Sequence, residues 1–119
     1  MKTILFTITL LFFITTIANS QNADLTGDFI IVRTFEVISG SFWKSQISIS
    51  DGKGDLKTVD LAATKPKTAG VNLKTIVSTL NNIKNQGYTL VQTNSAGANQ
   101  HGIFITNYIF QKKNEMEEK

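Results

Sequence analysis

A chain of 119 residues with no cysteine, one histidine and a formal net charge of +3 excludes several chemistries outright. Thiol nucleophiles, disulfide frameworks and thiolate metal sites cannot be built, and one histidine does not make a zinc ligand set. Lysines are scattered singly apart from Lys112-Lys113, and Arg33 is the only arginine; nucleic acid, which wants clustered cations interleaved with aromatics, is not an expected partner.

Residues 1–20 predict a signal peptide. Lys2 supplies a positive start, Ile4 to Ile17 is an apolar run broken only by threonines, and Ala18-Asn19-Ser20 puts small residues at the expected cleavage positions. That apolar run is short against the ~20 residues of a bilayer span, so cleavage before Gln21 is expected and no stable membrane span follows. The expectation is an exported protein, periplasmic or extracellular. The remaining 99 residues suffice for one domain, residues 21–112, which buries on the order of 60–65% of its unfolded surface. Packing alone must stabilise it, and residues 113–119 predict a frayed, disordered tail.

Phe29 to Ile38, FIIVRTFEVI, is rich in β-branched and aromatic residues and reads as a strand. Phe29, Ile31, Phe35 and Val37 share one face with Arg33; Ile30, Val32 and Ile38 share the other with Thr34 and Glu36. Two mostly apolar faces predict a central strand. Ser39-Gly40-Ser41 reads as a turn. Ile47 and Ile49 then alternate with Ser48 and Ser50, and after Asp51-Gly52-Lys53-Gly54 a weaker alternation runs through Val59 and Leu61, the pattern of a hairpin. Asp51, Asp55 and Asp60 offer carboxylates there, but Lys53 stands where a calcium loop needs a ligand, so an ordinary turn is expected. Gly52 and Gly54 lack the third glycine and the following helix of a dinucleotide site.

Residues 62–70 read as a loop around Pro66, the only proline. Asn72 is placed to cap a helix, along which Leu73, Ile76, Val77, Leu80 and Ile83 form one stripe of 3.6-residue period. Gly87 supplies the left-handed residue that ends it. Tyr88 begins a strand to Asn94, with Tyr88, Leu90 and Gln92 alternating against Thr89, Val91 and Thr93. Residues 95–102, SAGANQHG, read as a loop, and Ile103 to Lys112 is the last strand. On it Ile103, Ile105 and Ile109 line one face and Phe104, Tyr108 and Phe110 the other. The order β-β-β-α-β-β with short connections predicts an α+β fold: a single antiparallel sheet of about five strands with one packed helix. Gly87, Tyr88 and Leu80 are its expected structural residues.

One helix covers one sheet face. The second is left to the hairpin and the segment 62–71, to a second protomer, or to a ligand, and contiguous apolar surface of that kind marks an interaction site. Phe104, Tyr108, Phe110, Trp43 and Arg33 are the candidate binding residues. The leading expectation is a non-catalytic exported domain that binds itself, as a homodimer, or an envelope or extracellular protein. The alternative is a small-ligand or enzyme-accessory domain with a pocket near Trp43, Arg33 and His101, Arg33 gripping an anion. No cofactor, metal or enzymatic activity is expected; His101 lies in a loop without triad partners.

Leu80-Asn81 leading to Gly87-Tyr88-Thr89-Leu90-Val91, with a last strand ending Tyr108-Ile109-Phe110-Gln111-Lys112, resembles a family of small bacterial domains of unknown function. Those domains carry a helix, a G-W-E-L-V strand and a Y-x-F-x-K/R terminus. The likeness covers about a third of the mature chain, with Tyr88 where tryptophan is usual and Thr89 where an acidic residue is usual. It implies a small α+β unit and no particular activity.

Overall fold

The computed structural model describes residues 24–38, 42–54, 56–98 and 102–114. The elements are β1 (Phe29–Val37), β2 (Gln46–Ser50), β3 (Lys57–Asp60), α1 (Ala69–Asn85), β4 (Tyr88–Ala98) and β5 (Ile103–Lys112). All strand pairings are antiparallel in one sheet of order β3-β2-β1-β5-β4. The α+β architecture expected from the alternations is the one observed. β1 lies in the middle, where a strand apolar on both sides belongs.

Register assigns the faces, because residues directly opposite one another point the same way. Ile30 lies opposite Phe110, Val32 opposite Tyr108 and Ile49, and Thr34 opposite Ile47 and Thr106. This is the helix side. Ile30, Val32, Ile47, Tyr88 and Phe110 form the buried core with Ile76 and Ile83 of α1, while Leu25, Ile49, Val59, Leu61, Leu80 and Tyr108 pack at its margin.

The helix starts earlier than the sequence suggests, with Thr68 at its N-cap, so Asn72 is not the cap. Asn72 is instead buried in the first turn, where it accepts the Ala62 N–H at 3.0 Å and donates Nδ2 to the Ala62 carbonyl at 2.8 Å. A buried amide is tolerated because both of its ends are paired. Turning position 72 toward the sheet rotates the buried stripe to Asn72, Ile76 and Ile83, with Leu80 half-buried. Leu73 and Val77, expected on that stripe, are exposed.

Gly87 has φ +91, and the N–H groups of Gln86 and Gly87 bond back to the Ile83 and Lys84 carbonyls, both at 3.1 Å. This is the tight helix-to-strand join that Gly87 followed by Tyr88 predicts. Tyr88 follows fully buried, its hydroxyl donating to the Gly27 carbonyl at 2.7 Å with the Leu25 carbonyl at 3.2 Å. Gly27 packs so closely on the Asp51 carbonyl that a Cβ would collide with it. In the β2–β3 turn, Asp51 accepts the N–H groups of Lys53 and Gly54 through Oδ1 and that of Thr26 through Oδ2. These donors, Lys53 first, hold its carboxyl below the usual range. Asp51 is therefore a turn and tethering residue; Asp55 lies outside the described residues.

β4 departs from expectation twice. It continues to Ala98, so Ser95, Ala96, Gly97 and Ala98 are strand residues opposite Thr106, Ile105, Phe104 and Ile103. Small residues carry little strand propensity of their own, but β5 is a strong template: Ser95 and Thr106 share a hydroxyl bond at 3.0 Å, and a Cβ at Gly97 would press on the Phe104 ring. The register also shifts between Leu90 and Gln92, making Val91 the extra residue of a bulge. Tyr88 and Leu90 belong to the helix side, whereas Gln92, Asn94 and Ala96 belong to the other.

Candidate functional site

The opposite sheet face is the candidate site. On β1 it presents Phe29, Ile31, Arg33 and Phe35, opposed on β5 by Gln111, Ile109, Asn107 and Ile105. The face is exposed along Phe29, Ile31 and Arg33, whereas at its far end Phe35 is half-buried and Val37, of the same parity, is buried where Ser45 and Thr64 bond to its backbone. The β2–β3 hairpin extends the same sheet, and residues 61–64 run along its end, tied by Leu61 N–H to the Ser45 carbonyl at 3.0 Å and Thr64 N–H to the Val37 carbonyl at 2.8 Å. Phe29 is 54% and Ile31 46% exposed, large values for apolar side chains in a central strand.

A polar row crosses this face at one register level. Thr58, Ser48, Arg33, Asn107 and Asn94 are successive partners, one from each strand. Arg33 Nε donates to Asn107 Oδ1 at 2.7 Å, and Asn107 Nδ2 donates to Asn94 Oδ1 at 2.9 Å. The terminal guanidinium nitrogens of Arg33 have no partner among the described residues. Apolar bands flank the row, Ile31 with Ile109 on one side and Phe35 with Ile105 on the other. Such a face can bury aliphatic surface while Arg33 engages an acceptor, a guanidinium being easier to desolvate than an ammonium.

The sequence-derived candidates divide between the two faces. Phe110 is in the core beneath α1, and Tyr108 is half-buried at its margin, its phenol pushed up by burial and secondarily by the Glu36 charge. Phe104 shares their face but is 44% exposed, opposite Gly97. Arg33 stands on the other face, and Trp43, 67% exposed, lies in the β1–β2 connection. Phe104, Tyr108 and Phe110 therefore do not line the uncovered face with Arg33. The alternation along β5 is as expected, but the helix covers its aromatic side and leaves its isoleucine side open. Phe29, Ile31, Phe35, Ile105, Ile109 and the two asparagines share the open face with Arg33; charge along β1 gives no signal for it, because Arg33 marks this parity and Glu36 the other.

His101 lies outside the described residues. The cleft between α1 and the β2–β3 hairpin, about 590 Å³, has Ile49, Val59 and Ile83 among its apolar lining and Lys57, Lys74 and Thr75 among its polar lining, and includes neither Trp43 nor Arg33. Among the described residues no three His, Asp or Glu side chains are grouped to hold a metal ion, and no helix is long and apolar enough to cross a membrane. No protein-family model and no curated protein matches this chain.

Proposed function

We propose that this is an exported, non-catalytic binding domain that works through its uncovered sheet face. The partner is a protein surface of aliphatic side chains carrying a carboxylate or carbonyl oxygen to meet Arg33. The observation that supports the reading is the pair of apolar bands around an arginine whose Nε is held by Asn107 while its terminal nitrogens remain unpartnered among the described residues. Holding Nε fixes the plane of the guanidinium, so the remaining donors are preorganised rather than free to wander.

The test is site-specific photo-crosslinking in the producing cell, with a benzophenone side chain replacing Ile31, Ile105 or, as control, helix residue Lys74. A discrete protein adduct from positions 31 and 105, absent from 74 and lost with Arg33→Glu, is the expected result. No adduct from either face position, or equal adducts from all three, overturns the reading. The amino-terminal mass of the exported protein reports processing in the same experiment, with Gln21 as the expected first residue.

A further inference from the structure

We propose that β4 is a pairing edge, at which a second copy of this chain adds its own β4 antiparallel with Asn94 opposite Asn94. The two sheets then join into one of ten strands. This does not depend on the binding role of the uncovered face, although it would place two such faces side by side.

The two edges of the sheet differ. β3 is four residues long, and its ends are the charged Lys57 and Asp60. Short length and charge are the ordinary means of blunting an edge. β4 is eleven residues long, YTLVQTNSAGA, with no charge and no proline, and every residue from Thr89 to Gly97 is exposed. Its bulge at Val91 disturbs only the end near the helix, leaving Gln92 to Ala98 in unbroken register with β5. A row of outward backbone N–H and C=O groups with nothing to repel an incoming strand is a template for strand addition.

The occupant is indicated by the polar row. It runs Arg33, Asn107, Asn94 and stops at this edge, with Asn94 Oδ1 occupied by Asn107 and Asn94 Nδ2 making no bond among the described residues. Asn94 lies one residue from the midpoint of β4. A twofold axis through it pairs Gln92 to Ala96 with the same segment of the second copy, clear of the bulge, brings the two asparagine amides together on the same face, and extends the row without interruption. Stacked or facing asparagines complete one another as donor and acceptor. The contact is isologous, so each copy uses its single long edge; the short, charged β3 edge does not propagate it, and the assembly closes as a dimer rather than a fibre.

The absence of native cysteine makes the register directly readable. Opposite Cα atoms in an antiparallel pair are about 4.5–5.5 Å apart, within disulfide reach. The exported, processed protein with Asn94→Cys is expected to form a disulfide dimer on mild oxidation. Gln92→Cys and Ala96→Cys each stay uncrosslinked alone, since their equivalents are roughly 13 Å apart, but crosslink when mixed. Light scattering should give a dimer for the parent and a monomer for Asn94→Lys at the same concentration, with unchanged circular dichroism and a cooperative melt showing that the exposed substitution spares the fold. A parent protein that stays monomeric overturns the proposal, and so does a dimer whose crosslinks do not follow the Asn94-centred pattern or that survives Asn94→Lys.

Discussion

Tyr88→Phe removes a single oxygen from the best-buried aromatic ring of the core. That hydroxyl tethers the segment before β1: it has one proton, the Gly27 carbonyl is the nearer acceptor at 2.7 Å, and the Leu25 carbonyl at 3.2 Å is the second. The ring keeps its packing, so hydrophobic burial is nearly unchanged and the cost is that of leaving the buried Gly27 carbonyl without its donor, roughly 1–3 kcal/mol. In a domain of this size each kcal/mol lowers Tm by about 4–8 °C. Urea unfolding followed by far-ultraviolet circular dichroism should show the midpoint fall with the slope unchanged. The pH dependence adds a second handle. Burial, with smaller contributions from the Asp51 and Asp28 charges, raises the Tyr88 phenol above its ordinary value. An acid whose folded value is raised contributes stability that is present below its unfolded pKa of about 10 and is lost as pH rises through the folded value. The parent should therefore lose stability above about pH 10 faster than Tyr88→Phe, narrowing the gap between them. A variant within about 0.5 kcal/mol of the parent at neutral pH, with the same alkaline profile, would refute this role for the hydroxyl.

Asn72→Ala should cost roughly 1–3 kcal/mol in the same urea assay, because it strips both bonds from the Ala62 backbone; a neutral result would mean that water replaces them without loss. Gly87→Val should destabilise by about 1–2 kcal/mol from backbone strain alone, since φ is +91 and the space around the missing Cβ is empty; Gly87→Asn, which tolerates that conformation, should recover much of it in thermal melts. Thr34→Val should stabilise, raising Tm, because the Thr34 hydroxyl is fully buried with no hydrogen-bond partner and its replacement is close to isosteric. Ile76→Ala should cost about 2–5 kcal/mol, whereas Leu73→Ala, on the exposed side of the same helix, should change stability by less than about 0.5 kcal/mol.

The strands and the helix were legible because their periods are strong: FIIVRTFEVI and IFITNYIFQK have no competing reading, and Gly87 marks the join to β4. What escaped came from tertiary terms that period alone does not carry. Asn72 looks like a cap from its chemistry, yet pairing with Ala62 is available only once the loop folds back, and that pairing decides which side of α1 is buried. The tail of β4 was unreadable because serine, alanine and glycine borrow their extended form from β5. The bulge at Val91 sits in an unremarkable run of alternation, so the change of face at Gln92 left no mark. For the site, alternation along β5 separated the two faces correctly but could not say which of them α1 would cover. Arg33 and the asparagines at 94 and 107 converge only through the pairing of three strands, and no local pattern links them.

The first and last strands of the domain lie side by side at the middle of the sheet, and the Arg33–Asn107 bond joins residues 74 positions apart. The β2–β3 hairpin and the helix can form from nearby residues, but β1 lacks one neighbour, and β4 the strand it pairs with, until β5 is present. Loop-closure entropy is thus borne before the β1–β5 and β4–β5 pairings form. Deleting β5 would remove the seam of the sheet rather than trim a margin, so a carboxy-terminal truncation at residue 102 leaves two disconnected fragments of sheet. The same placement brings the two ends of the domain together, Lys112 N–H bonding the Asp28 carbonyl at 2.8 Å, so that a chain with its ends joined and reopened at the β4–β5 connection would keep every strand neighbour it has now.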